Sequence, residues 1–303
     1  MPVLRRPLEA WRDRVRQIED LGFHTVTVAD HLGDGWTMDP MLTMASAAAA
    51  TTDLRVATGV LCNDFYHPVH LHRSISNLDL LSDGRVTLGL GAGYRVIDYE
   101  VSGVPFDPAP VRIARLTESI AVLKALFGGE RVEFTGEHFQ IRDLVGAPQT
   151  VQRPHPPILV GGGGRRMLEL AARSADIVNI NPRLSRDLSI ERIRHELSVE
   201  GLIAKVDIIR NAAIAAGRDP DELRLQVNML DVRVRDGGAE HHWTSGLLGW
   251  LPQGVYDQSP LVLDGDAGRC AEALLELREA TGITEIHLGA NAAAVAPIVD
   301  KLR

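Results

Sequence analysis

The stretch "LVGGGGRRMLEL" (Leu159–Leu170) decides the fold, because it joins the parts of a βα unit. An apolar run leads into four consecutive glycines, and the residues after them have the spacing of an amphipathic helix. Bare backbone N–H groups at the point where a strand passes into a helix bind phosphate. The stretch therefore predicts a parallel βα fold and, within it, an anion site.

Short β-branched segments alternate with longer amphipathic segments on both sides of this stretch. The predicted strands are His24–Ala29, Leu54–Leu61, Arg85–Leu90, Pro157–Val160, Asp176–Ile180, Leu223–Val234 and Thr284–Leu288. The predicted helices are Leu8–Leu21, Pro40–Thr51, Pro68–Leu81, Pro110–Phe127, Arg165–Ser174, Ile190–Ala216, Ala267–Thr281 and Ala292–Leu302. Strands that alternate with single helices predict a parallel sheet covered by helices.

The number of predicted strands is one short of a (β/α)8 TIM barrel. The first predicted helix has the pattern of a complete βα unit, but only "MPVLRRP" precedes it. The prediction is thus an α/β fold, a (β/α)8 TIM barrel whose first strand is missing or truncated at the N-terminus. An open doubly wound sheet is the alternative.

Two segments interrupt the alternation. "VEFTGEHFQI" (Val132–Ile141) alternates apolar and polar residues and predicts an inserted hairpin at about residues 130–142. Residues 237–263 contain "HHWTSGLLGWLPQGVYDQSP" and predict an irregular, lid-like segment. Since no linker-like composition divides the chain, residues 1–303 are predicted to form one barrel domain.

Composition narrows the class of protein. The chain has 303 residues and a formal net charge of −8, which gives no support to binding of nucleic acid or an anionic membrane. Its two cysteines, Cys62 and Cys270, show no zinc spacing and suit a reducing compartment. No signal-peptide core and no run of about 18 apolar residues is present. A cytoplasmic protein with a small-molecule substrate is therefore expected.

The first predicted strand ends in "VADHLGDGW" (Val28–Trp36), which places Asp30 and His31 where barrel enzymes carry their catalytic groups. Trp36 could wall a flat aromatic ligand. The structural alternatives are a turn or cap role for Asp30, a buried histidine at position 31 and a core tryptophan at position 36.

Two strands end in glycine-rich loops. "LGLGAGYR" contains Gly89, Gly91 and Gly93, and the alternative to a ligand site there is a tight turn. The second loop, Gly161, Gly162, Gly163 and Gly164 followed by Arg165, predicts phosphate binding, with close strand–helix packing as the alternative. Neither loop has the spacing of a dinucleotide-binding fingerprint.

Four segments resemble the luciferase-like monooxygenase superfamily, and specifically its coenzyme F420-dependent oxidoreductase branch. They are "IEDLGFHTVTVADHL" (Ile18–Leu32), the segment from "LRVATGVL" to "GAGYR" (Leu54–Arg95), "VSGVPFDPAPVRIARLTESIAVLKALF" (Val101–Phe127) and Gly136–Arg183. The resemblance is specific over residues 8–183 and loose over the last third of the chain.

This resemblance implies a barrel that binds coenzyme F420, or FMN in sister branches, and transfers a hydride to or from a small organic substrate. His31 would be the acid or base, with Tyr94 as a second proton donor, and Asp30 would contact the cofactor. A cis peptide at Gly59–Val60 and the segment Gly91, Ala92, Gly93 would line the ring pocket. The residues Gly161–Gly164 and Arg165 would bind the cofactor phosphate.

Tyr94 stands where the sugar-phosphate dehydrogenases of this branch carry a carboxylate, which disfavours oxidation of a sugar phosphate. Three other functions stay open. They are an FMN-dependent monooxygenase with a separate flavin reductase, a cofactor-binding protein without catalysis, and a non-redox barrel enzyme for a phosphorylated metabolite. A homodimer is compatible with the resemblance.

Overall fold

The computed structural model describes residues 8–33, 38–235, 241–244, 249–252 and 254–303. Contacts within the chain divide it into two compact units. Among the described residues, the N-terminal unit contains residues 8–19 and His24–Val160, and the C-terminal unit contains Asp20–Phe23 and Gly161–Arg303. The single barrel domain stays a prediction. The predicted position of the truncated first strand, before Leu8, lies outside the described residues.

The N-terminal unit alternates strands and helices as predicted. Its helices are α1 (Leu8–Asp20), α2 (Pro40–Ala50), α3 (Pro68–Leu81), α4 (Val96–Ser102) and α5 (Ala109–Phe127). Its strands are β1 (Thr25–Val28), β2 (Arg55–Thr58), β3 (Leu61–Cys62), β4 (Val86–Gly91), β5 (Arg131–Thr135), β6 (Gln140–Val145) and β7 (Ile158–Gly162), of which β7 continues into the C-terminal unit. Strands β1, β2, β4 and β7 pair in parallel in that order, and β3 pairs with β4.

Local signals begin and end these helices. Asp39 caps α2, since its Oδ1 accepts a hydrogen bond from the backbone N–H of Leu42 at 2.8 Å. Pro40 occupies the first turn, where no backbone donor is needed. Gly84, directly after the last turn of α3, has a φ of 76°, a conformation that favours glycine. Each of these signals comes from residues close to the helix end in sequence.

The hairpin forms where the alternation predicts it. β5 and β6 pair in antiparallel fashion, and β6 extends to Val145, beyond the predicted end. Its apolar face packs on α5 in a cluster of buried side chains, which are Val122, Leu126, Val132, Phe139 and Ile141. This burial fixes the hairpin to the N-terminal unit.

The C-terminal unit contains a second parallel set of strands. Its helices are α6 (Arg165–Ser174), α7 (Ile190–Glu196), α8 (Val199–Ala215), α9 (Ala267–Thr281) and α10 (Ala292–Leu302). Its strands are β8 (Ile177–Ile180), β9 (Arg224–Asn228), β10 (Asp231–Val234), β11 (His241–Thr244), β12 (Val262–Gly265) and β13 (Glu285–His287). β9 pairs in parallel with both β8 and β13.

The predicted strand Leu223–Val234 is wrong in its length, because the chain changes sheets within it. The N–H of Met229 donates to the carbonyl of His287 on β13, whereas the N–H of Leu230 donates to that of Leu261. β10 therefore leaves the parallel strands and joins a separate sheet in the order β11-β10-β12. The described part of the lid-like segment thus includes strand, and its role as a lid stays a prediction.

The predicted helix Ile190–Ala216 is likewise two helices. α7 ends at Glu196, and Ser198 starts a new helix by accepting a hydrogen bond from the N–H of Gly201 at 3.1 Å. Serine competes well for such a cap, which explains the break. Among the described helices, none combines the length and apolar composition that crossing a bilayer requires.

Candidate active site

His31 and Asp98 form a partly buried side-chain pair in the N-terminal unit. The Nδ1 atom of His31 lies 2.7 Å from Oδ2 of Asp98. His31 follows β1, and Asp98 lies in the first turn of α4, a helix that the sequence patterns did not predict. The side chains are 17% and 6% exposed, so water screens their interaction only weakly.

Asp98 is fixed by more than the histidine. Its Oδ1 accepts hydrogen bonds from the backbone N–H groups of Leu32 and Gly33, both at 3.1 Å. Desolvation by burial raises the pKa of Asp98, but the hydrogen bonds from His31, Gly33 and Leu32 outweigh it and lower the pKa below its usual value. The carboxylate is therefore ionised at neutral pH.

An ionised Asp98 decides which ring nitrogen of His31 carries the proton. A carboxylate can only accept, so Nδ1 of His31 donates to it. In the neutral imidazole, Nε2 is then the basic atom, and in the imidazolium it carries the transferable proton. Asp98 thus orients His31 as an acid or base, the arrangement that catalytic histidines use with a carboxylate.

Asp30, next to His31 in the sequence, has different hydrogen-bond partners. It is 5% exposed, and its Oδ2 accepts a hydrogen bond from the N–H of Cys62 at 3.0 Å. Desolvation by burial raises its pKa, although hydrogen bonds from Cys62 and the Tyr66 side chain act against this. The carboxyl group thereby holds the chain just after the Gly59–Val60 bond. A direct cofactor contact by Asp30 stays a prediction.

The Gly59–Val60 peptide bond is cis, as the resemblance implies. Gly59 is exposed and Val60 half-buried. A Cβ at Gly91 would lie 2.8 Å from Cγ2 of Val60, so glycine at position 91 makes room for that side chain. The close approach gives Gly91 a packing role, and its contact with a ring stays a prediction.

Arg112 fixes the loop after β4. Its Nη1 donates to the carbonyl of Ala92 at 2.9 Å and to that of Gly93. The guanidinium is held over the Phe106 ring, 4.2 Å from the centroid. These bonds orient the backbone of Ala92 and Gly93 beside Tyr94. The Tyr94 ring lies edge-on to the His31 ring, with 6.0 Å between the ring centroids. Tyr94 is 64% exposed, so it can reach a ligand.

Replacing Gly93 with alanine should destabilise the loop. Gly93 has a φ of 74°, and a Cβ there would lie 2.0 Å from Oη of Tyr99 and 2.8 Å from Sγ of Cys62. Overpacking of this kind costs about 1–3 kcal/mol beyond the cost of the backbone conformation. We expect a lower midpoint of thermal unfolding for Gly93→Ala.

The matched control is Gly103→Ala. Gly103 has nearly the same φ, 73°, but no atom lies within 4 Å of its added Cβ. It therefore carries only the conformational cost, roughly 1–2 kcal/mol. Equal losses of stability in the two variants would contradict the packing role of Gly93.

The glycine loop Gly161–Gly164 lies in the C-terminal unit, where it forms the end of β7 and the connection to α6. A Cβ on Gly163 would lie 2.2 Å from the carbonyl oxygen of Asn181, whereas one on Gly164 would meet nothing within 4 Å. Gly164 is the N-cap residue of α6. Since glycine has no side chain, no side-chain cap bonds to the first turn of this helix. Arg165 begins α6, is 71% exposed and pairs with Glu169 at 3.3 Å. The loop is therefore packed at Gly163, against Asn181, and open at Gly164.

A buried ion pair supports the packed side. Nζ of Lys205 lies 2.6 Å from Oε2 of Glu196 and donates to the carbonyl of Asn181, also at 2.6 Å. The N–H of Asn181 in turn donates to the carbonyl of Gly162 at 3.0 Å. Lys205 thus fixes the backbone against which the glycine loop packs.

Some predicted residues cannot be placed. Trp36 lies outside the described residues, as do the side chains of His241, His242 and Trp243. The patterns in turn missed Asp98, Arg112 and Lys205. An acidic residue five positions after "GAG" was a usable signal for Asp98, whereas Arg112 and Lys205 lie within ordinary helical patterns.

Comparison with known proteins identifies the family. The family model described as luciferase-like monooxygenase matches residues 2–285, and the chain belongs to this family. The parallel α/β architecture agrees with this membership, and the prediction of a luciferase-like α/β fold is confirmed.

Two curated relatives differ in their cofactor. An F420-dependent hydroxymycolic acid dehydrogenase of Mycobacterium tuberculosis is 35% identical over 164 residues, which are 52% of this chain and 45% of the relative. The oxygenase component of a flavin-dependent trigonelline monooxygenase of Acinetobacter baylyi is 31% identical over 180 residues, 58% of this chain and 49% of the relative. The chain thus spans about half the length of these relatives.

A solved structure extends the likeness of fold over the whole chain. An F420-dependent secondary alcohol dehydrogenase in complex with an F420–acetone adduct has a TM-score of 0.79 at 18% identity. The match covers 99% of this chain and 96% of that protein. Because the two sequences are only 18% identical, this match shows a shared fold and nothing about function.

Proposed function

We propose that the protein is an F420-dependent oxidoreductase that transfers a hydride between the deazaflavin and a small organic substrate. The observation that carries the proposal is the His31–Asp98 pair, in which a buried carboxylate orients an imidazole for proton transfer. Support comes from the F420-dependent relative and from the likeness in fold to an F420-dependent alcohol dehydrogenase.

The residues of both units suit such a cofactor. In the N-terminal unit, Gly59 is exposed and Gly93 half-buried, so the backbone at both positions can contact a flat ring. In the C-terminal unit, the open side of Gly164 and the helix dipole of α6 suit a phosphate. The side chains that we propose for the ring are His31 and Tyr94, and Arg165 is proposed for the phosphate.

Coenzyme F420, when bound, supplies two-electron hydride chemistry that reacts poorly with oxygen. The tasks of the chain are to orient the substrate and to move one proton. Nε2 of His31 would release or accept that proton, while Asp98 stabilises the imidazolium that forms. Tyr94 would provide a second hydroxyl donor close to the same ring.

The proposed activity can be tested with a panel of small alcohols, aldehydes and ketones. Each compound is mixed with the protein and oxidised or reduced F420, and the cofactor absorbance is followed with and without oxygen. We expect turnover of at least one compound at a rate independent of oxygen. Turnover with FMN and oxygen alone, and none with F420, would contradict the proposal.

The flavin-dependent relative favours a second candidate, an FMN-dependent monooxygenase. That function would require oxygen and a separate flavin reductase as partner. The same panel with FMN, a reductase and NADH separates the two, because only a monooxygenase incorporates oxygen into its product. A homodimer remains part of either proposal.

Substitution in the glycine loop should show whether its packing supports phosphate binding. Gly163→Ala forces a shift of the loop, because the new Cβ would lie 2.2 Å from the carbonyl oxygen of Asn181. We expect an F420 dissociation constant about tenfold higher, which corresponds to roughly 1.4 kcal/mol. Fluorescence titration measures it.

Gly217→Ala is the control for this substitution, since Gly217 follows α8 in the same unit, outside the glycine loop, and its added Cβ would meet no atom within 4 Å. Its dissociation constant should stay within about threefold of the original, below the cost of one typical hydrogen bond. A Gly163→Ala protein that binds F420 as tightly as the unchanged protein would remove the phosphate site from the proposal.

A further inference from the structure

The carboxyl ends of four strands bring a row of polar groups together in the C-terminal unit. β7 ends at Gly162, Asn181 directly follows β8, and β9 and β13 end at Asn228 and His287. Asn228 and His287 are partners in the parallel register. Neighbouring strands lie about 4.8 Å apart, so the row extends roughly 14 Å from the glycine loop to His287. In α/β folds this edge is where ligands bind.

A ladder of amides makes the middle of the row rigid. Nδ2 of Asn181 donates to Oδ1 of Asn179 at 2.9 Å, and Nδ2 of Asn228 donates to Oδ1 of Asn181 at 3.2 Å. The ladder continues along the same face through Gln226, whose Oε1 accepts from Nδ2 of Asn179 at 2.9 Å. Each amide is oriented by its neighbours. The side-chain oxygens of Asn181 and Asn228 each accept one hydrogen bond within the ladder and keep further acceptor capacity.

His287 is the outer member of the row. Side chains alternate along a strand, so it lies on the same face as Glu285, whose carboxylate accepts from Gln226 and Arg224. Among the described residues, no hydrogen bond reaches the His287 ring. Desolvation by burial lowers its pKa to about 4, so the imidazole is neutral at physiological pH. It can donate and accept a hydrogen bond, but it offers no positive charge.

We propose that Asn181, Asn228 and His287 form an uncharged hydrogen-bonding subsite for a hydroxyl or carbonyl group. The charged groups near the row are Lys205 and Glu196 beside the glycine loop, Arg183 two residues after Asn181, and the Arg224–Glu285 pair. A carboxylate would find no counter-charge among these three side chains. The subsite therefore selects neutral polar groups over acidic ones.

The inference rests on the proposed function, which supplies two sources for such a group. One is the hydroxylated chain of the cofactor, and the other is the alcohol or carbonyl compound that reacts with it. Both have the same chemistry, so the experiment has one arm for each source.

The first arm compares F420 binding by His287→Leu and His287→Gln through fluorescence titration. Leucine removes hydrogen bonding at similar volume, whereas glutamine keeps a neutral donor and acceptor. For a cofactor hydroxyl we expect a dissociation constant about three- to tenfold higher for leucine, the value of one hydrogen bond, and recovery with glutamine. His195→Leu is the control, because His195 is exposed on α7 in the same unit.

The second arm uses ¹⁵N-labelled histidine and follows the ring nitrogens of His287 by NMR. Cyclohexanol, as the neutral probe, and cyclohexanecarboxylate, as the acidic probe, are added to the F420 complex. A shift with cyclohexanol alone supports a substrate subsite. Unchanged cofactor binding in His287→Leu, together with no shift or with equal shifts for both probes, overturns the inference. If the unchanged protein fails to bind F420, the proposed function itself fails.

Discussion

Replacing Asp98 with asparagine is expected to lower turnover by about 100- to 1,000-fold, within the roughly 10²–10⁴-fold that a positioned acid or base contributes. Oδ1 of the amide can still accept from the N–H groups of Leu32 and Gly33, which bond to Oδ1 of Asp98. The amide nitrogen would then face Nδ1 of His31 and, being a donor, favour the opposite tautomer. The fold is kept, while the histidine loses its working orientation.

The measurement is turnover together with the F420 dissociation constant of the same protein. Binding should be unchanged, because Asp98 acts through His31. His31→Ala should lose a comparable amount, and the double variant little more, since the two residues act as a unit. If the turnover of Asp98→Asn stays within about threefold of that of the unchanged protein, Asp98 does not position His31 for catalysis.

The pH dependence of Asp98 follows from the direction of its pKa shift. The folded-state pKa is lowered, so the carboxylate contributes stability that is fully present above its unfolded-state pKa. That contribution is lost as the pH falls through the lower, folded-state value. Asp98 therefore stays ionised from pH 5 to 8, and a change of turnover in that window belongs to another group.

Replacing Lys205 with methionine is expected to reduce the free energy of unfolding by about 3–5 kcal/mol. Lys205 and Glu196 have side chains that are 7% and 3% exposed, so the substitution leaves a buried carboxylate without its nearest cation. The carbonyl of Asn181 loses its donor as well. The packed side of the glycine loop should then loosen, and F420 should bind more weakly.

Urea unfolding of single and double variants measures this effect. In the Lys205→Met background, Glu196 keeps only the more distant Arg192, at 3.5 Å, as a cationic partner. Glu196→Gln then removes the buried charge and keeps an acceptor for the N–H of Arg183, which bonds to Glu196 at 3.0 Å. The double variant should therefore regain much of the lost stability. A single variant within about 1 kcal/mol of the unchanged protein would show that the pair contributes no more than an exposed one.

The order of strands and helices could be predicted because it rests on local patterns. The glycine loop before Arg165, the cap at Asp39 and the left-handed glycines are all set by residues close in sequence. The two predicted elements that were too long fail for a different reason. Leu230 leaves one sheet for another because of a bond to Leu261, a contact that no local pattern contains.

The candidate site likewise contains residues that local sequence patterns reveal and residues that only the fold brings together. His31 could be found at a strand end, and the resemblance implied the cis bond at Gly59. Asp98 lies 67 positions away from His31 and reaches it only through the fold, on a helix too short for a periodic signal. His287 could not be singled out from the sequence either, because its lowered pKa and its position beside Asn228 depend on the fold.

The most direct test of the account is a competitive titration of the purified protein with F420 and FMN, followed by fluorescence. We expect F420 to bind at least about tenfold more tightly than FMN, a difference of roughly 1.4 kcal/mol, and FMN not to displace it at equal concentration. Tighter binding of FMN, or binding of neither cofactor, would contradict the central claim.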